Sequence, residues 1–180
     1  QQAVAAAQNS ALGNGASPHR HIKIGGWVDH GHHALMDLEV FRRAGGYCES
    51  MPCNEDAEFD NRQKLLGART WLEPRAAITY YPRKSIRSLW RQYFRYGGGR
   101  ARNVKRHGQR LKIRQALPLA VPPAVMLAPL AAMHWIFAIP ALIWLSGCLV
   151  VGTAVGARSG GGWALLGGVA AATMHLAWGL

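Results

Sequence analysis

From Ala116 to Ala157 the chain runs 42 residues without a charge. As one straight helix this block would be about 63 Å long, twice the roughly 30 Å hydrocarbon core of a bilayer. Two crossings fit, with a turn near His134–Pro140. Pro122, Pro123, Pro129 and Pro140 bend or break such helices, which packed neighbours tolerate. Trp163 to Leu180 supplies a third apolar stretch of 18 residues, about 27 Å as helix. Trp135, Trp144, Trp163 and Trp178 are candidate anchors at the interfaces. The alternative is a buried soluble core, but the rest of the chain is too small to enclose it. Residues 116–180 are therefore expected to be a membrane region of about three helices.

The overall mean hydropathy of −0.03 conceals this division. So does the net charge of +12 over 180 residues. All nine acidic residues lie at or before Glu73, against seven basic ones up to position 74. From Arg75 onward there are 14 basic residues and no acid. An evenly charged globule is excluded, and so is an acidic disordered tail. A nucleic-acid arm is excluded because the basic block runs straight into the apolar one. Residues 82–115 hold 12 of the basic residues, which assigns them to the cytoplasmic side. A hairpin returns Arg158 to that side. The first residue is Gln, so a fragment or processed chain is expected, and residues 1–18 lack the pattern of a signal peptide. Cys48, Cys53 and Cys148 form no disulfide framework and read as free thiols of a reducing compartment.

Residues 1–26 read as loop with a short helix at 3–8, and residues 27–81 as mixed helix and strand. Gly31–Met36 is predicted as a strand, and Asp37 opens the helix DLEVFRRA, which Gly45-Gly46 stops. Asn54 is the predicted N-cap of a helix with acids first, Arg62 and Lys64 later, and Gly67 at its end. Strands are predicted around Thr70–Leu72 and Ala76–Tyr81. From Ser85 to Tyr96, Ile86, Leu89, Trp90, Tyr93 and Phe94 recur at helical spacing, beside an Arg87, Arg91 and Arg95 stripe. A basic helix with an aromatic face suits the plane of a membrane interface.

The sharpest chemical signal is Glu55-Asp56 behind Asn54. Carboxylates at a helix start meet free N–H groups that favour the anion. An ionised Asp there can take a proton from an attacking hydroxyl. Such acids also serve merely as caps, and Asp60, one turn on, reads as a solvated acid. His30, His32 and His33 invite a metal reading, but no Cys or carboxylate partner is suitably spaced. Acceptor-site or structural roles are favoured over a metal centre. His134 and His175 are assigned no chemistry.

The run from Val28 to Arg83 resembles the second half of an inverting, nucleotide-sugar-dependent glycosyltransferase domain of family two. The pattern is a small-residue strand, a helix ending in Gly-Gly-aromatic, Glu-Asp opening a helix with Arg, and aromatic-Leu-x-Pro. Gln92-Tyr93-Phe94-Arg95-Tyr96 looks like that family's Q-x-x-R-W motif with Tyr for Trp. RQYFRYGGGRARNVKRH and the membrane segments look most like the succinoglycan-type exopolysaccharide glucosyltransferases, over about residues 9–180.

The resemblance implies that Asp56 is the catalytic base with Glu55 beside it, and that Gln92, Arg95 and Tyr96 contact substrate. Arg95 suits a diphosphate through its planar fork. His32 and His33 are placed on the acceptor side. A divalent metal, Mg or Mn, is expected in the full-length protein, with ligands outside this chain, and no metal ligand is assigned here. Cys48 stands where the family often has an acid.

The expected fold is thus the C-terminal half of an α/β glycosyltransferase domain in residues 1–81. A basic interface helix and linker follow in 82–115, then the membrane region. The expected activity is transfer of a sugar, glucose by resemblance, from a nucleotide sugar to a polyprenyl-diphosphate-linked oligosaccharide at the bacterial inner membrane, with the catalytic part cytoplasmic. No nucleic-acid partner is expected, and the 180 residues alone are expected to be inactive. The alternatives are a processive polysaccharide synthase and a non-enzymatic polybasic protein binding anionic lipid.

Overall fold

A computed structural model describes residues 1–14, 24–28, 35–76, 78–158 and 164–180. Helix dominates them. The elements are α1 (Gln2–Asn9), α2 (Ala11–Asn14), β1 (Gly26–Val28), α3 (Leu38–Arg43), α4 (Glu55–Leu65), β2 (Thr70–Leu72), α5 (Ile86–His107), α6 (Ile113–Ala116), α7 (Val121–Leu127), α8 (Ile139–Arg158) and α9 (Ala164–Gly179). Strand among the described residues is confined to β1 and β2, paired antiparallel with Trp27 opposite Trp71. The chain divides into two compact units. One comprises Gln1–Ala16, Tyr80–Gly98 and Gln109–Leu180, the other Ser17–Thr79 and Gly99–Gly108.

The first unit holds the apolar segments. Ile113–Ala132 and Trp135–Arg158 are both long and apolar enough to cross a membrane. The first is built of short pieces, α6, α7 and intervening 3-10 turns, with Pro at the start of successive pieces. Pro lacks the N–H an α-helix interior requires, so each Pro restarts the helix. The chain turns at Met133-His134, at the N-terminal edge of the expected bend. α9 spans 16 residues and is more enclosed than α8. Ala170, Ala171, Met174 and Ala177 are enclosed, while Leu142, Ile143 and Val150 of α8 are open.

Close approach of α8 and α9 rests on glycine. A Cβ on Gly152 would lie 2.2 Å from the Gly168 backbone nitrogen, and one on Gly168 2.8 Å from the Cys148 carbonyl oxygen. Small residues at such a crossing let helices pack without a hydrophobic driving force between them.

The short helix expected at 3–8 is α1, and a further helical turn, α2, follows it where loop was expected. α1 packs with α9, and Val4 and Ala7 share a core with Leu89, Cys148 and Met174. His175 ties the unit together: its Nε2 donates to the Leu12 carbonyl (2.7 Å) and its Nδ1 accepts from Trp144 Nε1 (3.3 Å). Trp144, partly buried, is thus engaged as a hydrogen-bond donor within this unit. Trp163 lies outside the described residues.

The second unit forms around Phe59, fully buried against Phe41 (5.1 Å) and Tyr47 (4.9 Å). Asp37 caps α3, accepting from the Val40 N–H at 2.9 Å, as its position before an apolar run predicts. Gly45 and Gly46 then take φ of +79° and +65°, and this left-handed turn reverses the chain to lay Tyr47 on Phe59. The predicted strand at Gly31–Met36 falls largely outside the described residues, and Leu35 and Met36 are not strand. Nor are the described residues of Ala76–Tyr81, where Pro74 and Pro82 bracket the segment and remove ladder donors.

The basic helix is longer than its apolar pattern suggests, because α5 runs through Gly97-Gly98-Gly99 to His107. Each helical Gly costs about 1 kcal/mol relative to Ala, and packing explains two of them. A Cβ at Gly97 would fall 2.2 Å from the Trp178 carbonyl oxygen, and one at Gly99 2.7 Å from that of Cys53. Gly98 has nothing within 4 Å. Gly98→Ala should therefore stabilise the chain by about 0.5–1 kcal/mol, and Gly99→Ala should destabilise it by about 1–3 kcal/mol. Denaturant titration in detergent separates the pair. Equal effects would mean that Gly99 is not held against the loop.

Candidate active site

α4 and the loop before it carry the acids singled out by sequence. Asn54 precedes the helix with φ 60° and ψ 26°, the sole non-glycine residue of positive φ among those described. Asn tolerates this region better than other side chains, and such strain concentrates at functional sites. Asn54 stands at the N-cap position as expected, but its side chain makes no capping hydrogen bond to α4. Asp56 Oδ1 accepts from the Ala57 N–H at 2.7 Å. Both Glu55 and Asp56 remain partly accessible, as a group meeting substrate must.

Behind them α4 is enclosed. Glu58, Phe59 and Asp60 are buried in succession. Neighbouring helical residues are about 100° apart, so protein covers roughly 200° of the circumference. Asp60, 8% exposed, is not the solvated acid expected. Glu58 is fully buried. Arg62 Nη2 donates to its Oε2 at 2.7 Å, Arg62 Nε lies 3.0 Å from Oε1, and His107 Nε2 lies 2.8 Å from Oε1. Burial pushes the Glu58 carboxyl upward, but the bonds from Arg62 and His107 outweigh this and hold it below the ordinary range.

Arg62 also donates to the carbonyls of Ala44 and, at 2.7 Å, Gly46. It thereby satisfies backbone oxygens that the end of α3 leaves free. One guanidinium fastens α3, α4 and, through Glu58, the end of α5.

Tyr47 sits among these acids. Burial first, then the charges of Asp56, Asp60 and Glu55, raise its phenol above the usual range and keep it protonated. Cys48, at the position where an acid was expected, has Ser50 Oγ at 3.1 Å and accepts from Arg106 Nη1 at 2.8 Å. The Ser50 hydrogen bond chiefly, with help from Arg106, lowers its thiol below the usual value.

Glu55 and Asp56 lie in one unit; Gln92, Arg95 and Tyr96 lie in the other. Gln92 is buried, and its Nε2 donates to Tyr96 OH (2.9 Å) and Tyr80 OH (3.1 Å). Its Oε1 has no partner. Tyr96 packs edge-on to Tyr93 at 5.7 Å, and Arg95 is exposed. His30, His32 and His33 lie outside the described residues. Among those described, no three His, Cys, Asp or Glu side chains are grouped to hold a metal.

Sequence reasoning missed the Glu58–Arg62–His107 cluster. The Glu58–Arg62 spacing of four was a visible helical pair, but His107, 49 positions on, carried no signal.

Comparison with known proteins finds the chain 47% identical over 180 residues to the "Succinoglycan biosynthesis protein ExoA" of Rhizobium meliloti (strain 1021). The match takes in 99% of this chain, which spans 54% of that relative, its C-terminal part. The resemblance to the succinoglycan-type proteins is borne out. No family model matches, and no solved structure matches significantly.

Proposed function

We propose that this chain, spanning about half the length of the succinoglycan biosynthesis protein it matches, is the acceptor-side and membrane portion of an inverting glycosyltransferase of exopolysaccharide synthesis. The observation that carries the reading is Asp56, partly open at the start of α4 behind the strained Asn54, with the helix anchored by the buried Glu58–Arg62–His107 cluster. In the reaction an acceptor hydroxyl oxygen attacks the anomeric carbon of the nucleotide sugar. The new C–O bond forms as the bond to the diphosphate breaks, the nucleoside diphosphate leaves with that electron pair, and Asp56 receives the hydroxyl proton. Glu55 orients the acceptor.

The two apolar segments support attachment to a bacterial plasma membrane, with the basic α5 and Arg158 on the cytoplasmic face. A third crossing would use α9. The donor is a nucleotide-activated hexose and the acceptor a polyprenyl-diphosphate-linked oligosaccharide, whose anchor would hold it at the headgroup plane. The remaining strands of the α/β domain, and the carboxylates for Mg or Mn, belong to the donor-binding half. The described residues offer no fitting ligand set.

The test is sugar transfer by the complete enzyme in membranes, with a panel of radiolabelled nucleotide sugars and lipid-linked acceptors. Transfer from one donor to the lipid fraction is expected. The 180-residue chain should show none, and transfer by it alone would overturn the division into halves.

A further inference from the structure

The last turns of α5 present two faces. Gly99 and Asn103 are buried and His107 nearly so, at i, i+4 and i+8, so this stripe packs inward. Arg102, Lys105 and Arg106 fall beside it at i, i+3 and i+4 and are exposed. With Ser50 and Met51 they line an open cleft of about 390 Å³. Arg102 and Lys105 have no carboxylate partner among the described residues. Arg106 is held by Cys48 Sγ at 2.8 Å and lies 3.8 Å from Glu58, a carboxylate already engaged by Arg62 and His107. Three cations thus line one cleft together with Ser50, and one of them, Arg106, is held in place by Cys48.

We propose that this cleft binds a phosphate or diphosphate group. Guanidinium forks pair with phosphate oxygens in two bonds, and Lys105 adds a point charge. The volume exceeds one phosphate and suits a diphosphate with part of its attached group. Ser50 lies five residues before Glu55, so a bound diphosphate rests on the loop that leads into the proposed base. Its identity as the acceptor's diphosphate rests on the glycosyltransferase reading. A lipid headgroup shares the same chemistry.

Binding without turnover tests this, so it fails or stands apart from the role of Asp56. The full chain in nonionic detergent is titrated calorimetrically with inorganic pyrophosphate. It is also sedimented with phosphatidylcholine vesicles with and without phosphatidylglycerol. Arg102→Gln with Lys105→Gln should weaken pyrophosphate binding at least tenfold, and Arg83→Gln with Lys84→Gln, an equal loss of charge on exposed residues, less than twofold. Thermal unfolding of both variants checks that the fold is kept. If pyrophosphate does not bind but phosphatidylglycerol-dependent sedimentation is lost in the Arg102/Lys105 variant alone, the site stands and a headgroup supplies the phosphate. Equal weakening by both pairs, or no binding of either probe, overturns it.

Discussion

Replacing Asp56 by Asn should lower turnover of the complete enzyme by about 10²–10⁴-fold, the range expected when a general base is removed. Asn is nearly isosteric, and its side-chain oxygen can still accept from the Ala57 N–H that Asp56 Oδ1 engages. The cost to stability should be about 1 kcal/mol or less. The lost function is acceptance of the hydroxyl proton, so KM for the donor should hardly move while kcat falls. The control has to be an acid that does not hold the fold together. Asp60 is enclosed and Glu58 holds the unit together, so neither serves. Glu39, exposed in the first turn of α3, does, and Glu39→Gln should be neutral. Near-normal turnover in Asp56→Asn would leave the Glu-Asp start as a cap and remove the main support for the catalytic reading.

The largest stability effect is expected at Glu58. Glu58→Gln removes the charge shared by Arg62 and His107 and leaves the guanidinium partly buried beside a neutral amide. Breaking a buried ion pair from one side costs about 3–5 kcal/mol. Arg62 and His107 keep some solvent access, at 21% and 15%, which places the effect near the lower end, about 3 kcal/mol. Limited proteolysis should cut first in α4 or the loop before it, and denaturant titration should show the loss.

The pH dependence has a definite sign. The folded-state carboxyl lies below its ordinary value, so its contribution is complete above the ordinary glutamate range. It is lost as pH falls through the depressed value. The gap between native and Glu58→Gln stability should therefore narrow on acidification. A gap that widens toward acid would contradict the ion-pair account.

Much of the local structure was legible in residue order. Asp37 before an apolar run, Gly-Gly after Arg43, and the acid-to-base gradient from Glu55 to Lys64 each specify a helix end through backbone groups only a few residues away. The apolar period from Ile86 to Phe94 specified the first half of α5 in the same way. The second half was hidden, because three consecutive glycines read as a break. Two of them, Gly97 and Gly99, have Trp178 and Cys53 lying against the backbone where a side chain would stand, a contact that residue order does not record. α1 matches the short helix expected at 3–8, although its burial was not legible: an Ala-rich octapeptide is a marginal helix alone, and α9 and Leu89 supply its buried face.

The site divides along the same line. Charge sequence and apolar length determined by themselves that the chain has a basic zone joined to membrane-length segments. They also determined that Glu55 and Asp56 open a helix, since hydrocarbon thickness, dipole and capping act over neighbouring residues. Only the tertiary structure decided that Glu58 is a buried anchor and Asp60 an enclosed acid. It alone set His107 on Glu58 and brought Arg102, Lys105 and Arg106 to one cleft with Ser50. Those facts depend on which faces of α4 and α5 are covered. Burial of a charged side chain becomes tolerable only when partners distant in sequence arrive to compensate it, and spacing along one helix carries no record of a partner 49 residues away.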